Sequence, residues 1–317
     1  MTQLNHTDAQ FAVVMPIYED REASSKLFEQ LHAEYGVRAF VVAVDDGSIS
    51  QPVEVEALRQ AGLEGVVIHL TRNVGHQCAI AIGLSYVADH LPQIPCTVVM
   101  DSDGEDTPQS IRELVESLRD TNVDVTVAQR KSRVETLRFK AFYVIYKWLF
   151  QLLTGRKISF GNFMALRPSA VKRLAAMQEL WTHVAACVLT SKLRVKTLAI
   201  DRGPRYAGKS KMNFVGLALH GFRALMVFAE AVLVRVGIVC AAVALVAVLS
   251  SILAIALKFS GFATPGWFSI ALGILLLVFL QTGALTLMTL MLTGVVRAGA
   301  PNQIDYQAYI AQIEHVR

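Results

Sequence analysis

Asp101-Ser102-Asp103-Gly104-Glu105-Asp106 is the stretch of this 317-residue chain with the most evident chemistry. It follows Thr97-Val98-Val99-Met100, a short apolar run that reads as a buried strand. Three of its acidic side chains, Asp101, Asp103 and Glu105, therefore crowd one strand end. Like charges held that close are costly unless something positive sits among them. Carboxylate oxygens suit a hard divalent cation, Mg2+ or Mn2+. Such an ion takes one or two protein carboxylates and fills its shell with water and substrate phosphates. Taken alone, the same residues also describe a solvated acidic turn that caps a helix starting at Pro108.

The elements that must position these groups alternate along the first half. Phe11 to Ile17 reads as strand, Asp20 to Tyr35 as amphipathic helix, Ala39 to Val44 as strand and Pro52 to Ala61 as helix. Val66 to Leu70 is strand, Gln77 to Asp89 helix, Thr97 to Met100 strand, Pro108 to Leu118 helix and Val123 to Ala128 strand. Such alternation predicts an α/β domain, a mostly parallel sheet covered by helices. Ligands of open sheets bind beyond the carboxyl ends of the strands. The polar clusters fall there: Pro16-Ile17-Tyr18-Glu19, Asp45-Asp46-Gly47-Ser48, Thr71-Arg72-Asn73-Val74-Gly75, the acidic loop, and Gln129-Arg130. No Gly-x-Gly-x-x-Gly and no Walker loop is present, so dinucleotide oxidoreductase and P-loop readings lack a motif.

The second half differs in composition. Mean hydropathy is +0.43 and 53% of residues are hydrophobic, with the excess near the C-terminus. Val236 to Leu257 and Trp267 to Leu292 are almost wholly apolar, each long enough to cross a hydrocarbon core of about 30 Å. The link between them holds Gly261, Pro265 and Gly266, which predicts a helical hairpin. Lys192, Arg194, Lys196, Arg202, Arg205, Lys209, Lys211, Arg223 and Arg235 precede it, Arg297 follows it, and only Lys258 lies between. The positive-inside rule then puts both termini in the cytoplasm. Phe11 to Ile17 is too short for a signal peptide. Cys78, Cys96, Cys187 and Cys240 have neither metal-site nor redox spacing, which fits a reducing compartment. The net charge of +4 gathers beside the apolar runs, so anionic lipid headgroups account for it better than nucleic acid does.

Taken in order, PIYED, VDDGS, RNVG, MDSDGEDTP and RYAGKSK resemble glycosyltransferase family 2, and within it the polyprenyl-phosphate glycosyltransferases of the dolichol-phosphate mannose synthase type. The resemblance covers about residues 10 to 230, and the apolar runs resemble the membrane hairpin of bacterial members. It implies a GT-A fold, an inverting mechanism, a nucleotide-diphosphate sugar, a polyprenyl phosphate and a divalent metal. The implied organisation is a cytoplasmic domain over 1–212, a juxtamembrane amphipathic helix over 213–235, two transmembrane helices over 236–292 and a cytoplasmic tail over 293–317. It leaves a homo-oligomer open.

Carried over by position, Asp45 and Asp46 match the pair that contacts the donor nucleoside, and Pro16, Tyr18 and Glu19 the loop where the base lies. Asn73 and Gly75 match a loop near the donor. Asp101, Ser102, Asp103 and Glu105 fall on the metal and diphosphate segment, with Glu105 where many relatives carry Gln. Arg205, Ser210 and Lys211 match an Arg-x-x-Gly-x-Ser-Lys motif that grips phosphate, and Arg130, with Arg133 nearby, lies beyond the fifth strand.

One departure matters. Ser159-Phe160-Gly161-Asn162-Phe163 replaces a segment in which the family often has two aspartates. Asn is no general base, whereas an alcohol acceptor needs one. A phosphate acceptor, already ionised, does not. The alternatives are a hydroxyl acceptor with His183 as base, and an inactive membrane scaffold for lipid-linked sugars.

Overall fold

The computed structural model describes residues 9–130, 137–207, 214–262, 266–298 and 304–316. Two compact units divide the chain, one of 1–143, 158–227 and 303–317, the other of 144–157 and 228–302.

In the first unit the chain begins with β1 (Phe11–Ile17), α1 (Arg21–Tyr35), β2 (Ala39–Asp45), α2 (Val55–Gln60), β3 (Glu64–Leu70) and α3 (His76–His90). It continues through β4 (Thr97–Val99), α4 (Pro108–Ser117), β5 (Val125–Arg130) and α5 (Leu137–Thr154), the last crossing into the second unit. Then come β6 (Met164–Leu166), α6 (Pro168–Ala175), α7 (Glu179–Thr182), α8 (Val184–Thr190), β7 (Val195–Ile200) and α9 (Phe214–Met226). The second unit holds α10 (Ala229–Phe259) and α11 (Trp267–Ala298), after which β8 (Ile310–His315) belongs to the first unit again.

The strands form one sheet in the order β7-β5-β6-β4-β1-β2-β3-β8. Its centre, β4-β1-β2-β3, is parallel. That is why β1 and β2 read as unbroken apolar runs: both faces are covered, and every residue of each is buried. Alternate residues then serve opposite cores. Val14, Val42 and Ile68 pack with α3 and α6, whereas Met15, Val41 and Val67 pack with α1 and α4. Helix α3 lies so close to the sheet that a Cβ on Gly83 would stand 2.5 Å from Val14 Cγ1.

Antiparallel pairings complete the edges. β6 runs antiparallel to both β4 and β5, while β7 is parallel to β5. β8 pairs antiparallel with β3, with a register shift between His69 and Leu70. The expected boundaries of the first five strands hold within two residues. The helix expected over 213–235 is instead divided between α9 and α10, because the helical backbone is interrupted between Met226 and Ala229.

Helices α10 and α11 are long and apolar enough to cross a membrane. Their outward side chains, among them Ile238, Leu253 and Leu277, are exposed. Hydroxyls of Ser251, Thr282, Thr286 and Thr293 bond back to carbonyls one turn earlier, which satisfies them without a solvent partner.

Candidate active site

The carboxyl ends of β1, β2, β3, β4 and β7 carry a continuous polar network. At the first, Glu19 adopts a left-handed backbone, φ +48, and its carboxylate accepts from the N–H groups of Ile49, Ser50 and Gln51 at 2.7, 3.0 and 2.6 Å. Its own N–H donates to Ser48 Oγ at 2.8 Å. Glu19 thus organises the loop after β2. Pro16 is buried within β1 opposite Val44, and Tyr18 is exposed at the strand exit.

Asp45 and Asp46 are both buried, yet they are held differently. Asp46 accepts from Val74 N at 2.7 Å and Gly75 N at 2.9 Å, so it ties the β2 loop to the loop that opens α3. Gly47, at φ +68, lets the two loops touch: a Cβ there would stand 2.5 Å from the carbonyl carbon of Arg72. Asp45 accepts from Ser48 N at 3.1 Å and faces His69 Nδ1 at 3.4 Å. Burial pushes the Asp45 carboxyl up, but the His69 and Ser48 hydrogen bonds outweigh it and hold the group below its usual value. For Asp46 burial outweighs the two backbone bonds and the group is raised. Asn73 is exposed, and Gly75 sits at φ +94 before α3.

The acidic loop is folded on itself. Asp101 N donates to Asp106 Oδ2 at 3.1 Å, and Glu105 N donates to Asp103 Oδ1 at 2.9 Å. Ser102 is buried. The segment after β7 is laid across this loop: Gly203 N donates to Glu105 O at 3.0 Å and Tyr206 N to Asp103 O at 2.9 Å. Arg205 Nη2 reaches Asp103 Oδ2 at 2.5 Å, and its Nε lies 3.6 Å from Glu105 Oε1. Arg202 pairs with Glu105 and lies 4.0 Å from Asp106 Oδ1. Gly104 turns at φ +84 beneath the Tyr206 ring, whose hydroxyl bonds Gln30.

His76, the first residue of α3, links this loop to its neighbours. Its Nε2 is 3.3 Å from Asp101 Oδ1 and 3.1 Å from the Asn162 amide. Packing pulls His76 down, but Asp101, then Asp46 and Asp103, pull harder and leave it raised. A small cleft lined by Asp101, Asp106, Asn162, Asp201 and Arg202 lies beside them.

His183 is packed between α8 and α9. It is 4% exposed and caps α8: Nδ1 accepts from Ala186 N at 3.2 Å, and Nε2 meets His220 Nε2 of α9 at 3.0 Å. Burial, then His220, push it down to about 3.

Arg130 ends β5 opposite Ile200 of β7. Ser210, Lys211 and Arg133 lie outside the described residues. His69, His76, Arg202, Tyr206 and His220 were not singled out as site residues from the sequence. Arg202 and Tyr206 flank the recognised Arg205, and His76 directly follows Arg-Asn-Val-Gly, so adjacency was a usable signal for these three. For His69 and His220 no local pattern exists.

The donor set fits a hard cation: Asp101 and Asp103 present carboxylate oxygens at one strand end, and the Arg205 guanidinium already fills the role of counter-charge at Asp103 Oδ2. Among the described residues no group of three His, Cys, Asp or Glu side chains is arranged as a complete metal cage. Two carboxylates plus substrate oxygens is the expected pattern for Mg2+.

The chain matches the model of "Glycosyl transferase family 2" over residues 12–179, more than half its length. It is 27% identical over 213 residues to the undecaprenyl-phosphate 4-deoxy-4-formamido-L-arabinose transferase of Edwardsiella ictaluri, covering 65% of this chain and 64% of that one. The enzyme of the same name from Salmonella paratyphi A is also 27% identical, with 65% and 63% covered. The chain thus spans just under two thirds of the length of these relatives. Among solved structures, glucosyl-3-phosphoglycerate synthase of Mycobacterium tuberculosis, in complex with Mn2+, uridine-diphosphate-glucose and phosphoglyceric acid, superposes with a TM-score of 0.52 at 11% identity, covering 72% of this chain and 81% of that one. The same protein with Mn2+ and uridine-diphosphate-glucose gives 0.51 at 12% identity, with 72% and 80% covered. At such identity the likeness concerns the fold, which is the GT-A type that the motifs implied. With the family model spanning the sheet from β1 to α7 and the acidic loop inside it, the chain belongs to glycosyl transferase family 2.

Proposed function

We propose that the chain transfers a monosaccharide from a nucleotide-diphosphate sugar to a polyprenyl phosphate, with inversion, at the cytoplasmic face of a membrane. The observation that carries this reading is the contact of Arg205 with Asp103. It brings a carboxylate pair suited to a cation-bound diphosphate against a cationic segment suited to a second phosphate. The relatives named for undecaprenyl phosphate support the acceptor class.

In this reading Asp45 receives the nucleoside, while Asp46 and Glu19 fix the loops around it. Asp101 and Asp103 would hold Mg2+ or Mn2+, which when bound supplies positive charge to the leaving diphosphate. Glu105 is engaged by Arg202 and Arg205, and through them it orients the phosphate-binding segment. Arg205, with Ser210 and Lys211, binds phosphate, and Arg130 stands at the same rim. The acceptor phosphate is ionised near neutral pH and attacks without a base. Catalysis is then positioning plus electrostatics.

His183 bears on the choice of acceptor. Its two ring nitrogens are occupied and its side chain is buried, which disfavours a hydroxyl acceptor that relies on it as base. Asn162, bonded to His76, offers no base either. Retention of the acidic loop weighs against an inactive scaffold.

Two features support the membrane reading. Leu219, Phe222 and Met226 form an exposed apolar stripe on α9, suited to an interface. The chain enters α10 from the first unit and returns to it after α11 as β8, which supports a hairpin with both ends on one side, and the Lys and Arg residues preceding it favour the cytoplasmic side. The decisive experiment is a panel of nucleotide sugars offered with polyprenyl phosphate to the detergent-purified protein, read by mass spectrometry of the lipid. A metal-dependent polyprenyl-phosphate monosaccharide is the expected product; no transfer from any donor would refute the assignment.

A further inference from the structure

The nucleoside end of the site contains a side chain that none of the family motifs includes. His69 lies on β3 at the register position beside Asp45 of β2 and opposite Gln312 of β8. Its imidazole bridges two carboxylates: Nδ1 is 3.4 Å from Asp45 Oδ2, and Nε2 is 3.7 Å from Glu314 Oε2. Glu314 is itself anchored, since Gln312 Nε2 donates to its Oε1 at 2.9 Å. The β3–β8 register slips between His69 and Leu70, the kind of local irregularity that re-aims a side chain. Beyond it, Thr71 N donates to Tyr309 O at 2.9 Å and closes the ladder again.

The chemistry of Asp45 makes this bridge consequential. The Asp45 side chain is 3% exposed, and a buried carboxylate must be held by donors if it is to stay ionised and point one way. Ser48 N holds Oδ1 and His69 holds Oδ2. Each oxygen keeps a further lone pair for base N–H or ribose hydroxyl groups. The hydrogen bonds to Asp46 among the described residues, by contrast, come from the backbone N–H groups of Val74 and Gly75. The two neighbouring aspartates are therefore set by different means, and only Asp45 depends on a side chain tied to the far end of the chain.

We propose that His69 is a positioning residue for the donor nucleoside, and that β8 holds it in place through Glu314, so that the strand following the apolar helices is part of the donor-binding apparatus. The proposal rests on the reading of Asp45 as the nucleoside-binding carboxylate. The linkage Asp45–His69–Glu314 acts on donor affinity and leaves the acceptor side untouched.

The test uses the full chain in detergent, with donor varied at saturating polyprenyl phosphate. His69→Ala is expected to raise donor KM about tenfold, the scale of a lost charge-assisted hydrogen bond. kcat and the KM for polyprenyl phosphate stay within about twofold, since the linkage touches neither. His69→Asn places an amide nitrogen near Nδ1 and restores donor KM to within about threefold. Glu314→Gln raises donor KM about threefold in wild type but adds nothing to His69→Ala, as coupled residues do in a double-mutant cycle. The Ki of whichever of UDP, GDP, CDP and ADP inhibits best must move with KM. Should His69→Ala fold poorly, the single variant Glu314→Gln keeps the proposal testable: an unchanged donor KM there overturns it. An unchanged donor KM in His69→Ala, no rescue by Asn, or additive effects of the two substitutions overturns the proposal while the assigned activity stands. A wild-type protein that neither turns over a donor nor binds a nucleoside diphosphate overturns both.

Discussion

Arg205 Nη2 stands 2.5 Å from Asp103 Oδ2, a bond between the loop after β4 and the segment after β7. It joins the groups proposed to hold the donor diphosphate and the acceptor phosphate. Asp103→Asn is expected to lower kcat/KM by about 10²- to 10³-fold, the usual loss for a group that stabilises developing charge. Arg205→Lys keeps the charge but not the fork, and should retain only about a tenth of the activity. Initial rates at saturating and limiting lipid separate the two effects; a fully active Arg205→Ala protein would remove Arg205 from the site.

Glu105 and Asp101 should part company in a cation titration. Glu105 is engaged by Arg202 and Arg205, whereas Asp101 faces His76. Glu105→Gln is expected to leave the Mn2+ concentration for half-activation within about threefold, and Asp101→Asn to raise it by more than about tenfold, as loss of a direct ligand does. Equal shifts in the two variants would make Glu105 a ligand as well.

Gly104 is an expected weak point. Its φ is +84, and a Cβ would come within 2.4 Å of the Tyr206 ring. Gly104→Ala should lift Tyr206 off the acidic loop and reduce kcat/KM about tenfold, from strain of about 1–3 kcal/mol. Restoration of activity in Gly104→Ala/Tyr206→Ala would identify the ring as the obstacle.

Stability should fall as the medium is acidified, and His183 sets the window. Burial and His220 lower it from 6.5 to about 3. The folded state thus binds fewer protons than the unfolded state between those values. The contribution of the neutral imidazole is complete above about pH 6.5 and is lost as pH falls toward 3. His183→Asn keeps an N-cap acceptor without titrating there, so its melting temperature should fall less steeply from pH 6.5 to 4 than that of wild type. Parallel curves would place the acid sensitivity elsewhere.

The parallel half of the fold was legible because burial on both faces writes itself as apolar runs, as in Phe11–Ile17 and Ala39–Asp45, with polar clusters at their ends. The later strands were not. β6 is three residues long, β7 mixes Lys196 and Thr197 into an apolar frame, and β8 follows two long apolar helices. The expected start of the first apolar span at Val236 fell short of the helix start at Ala229, since Glu230 and Arg235 interrupt the apolar run but not the helix. The site was legible where its residues adjoin a motif. The pairing of His183 with His220 joins residues 37 apart, and that of His76 with Asn162 joins residues 86 apart, distances at which no spacing rule operates.

The pairing of β8 with β3 has a consequence for biosynthesis. Thr71 and Tyr309 are 238 residues apart, so the ribosome makes β3 long before the strand that covers its outer edge. Until then that edge offers unpaired backbone groups to any passing chain. Release of products stopped short of Ile310 should yield aggregates or chaperone clients, whereas a chain that runs through His315 seals the edge once β8 has followed both greasy helices out of the exit tunnel.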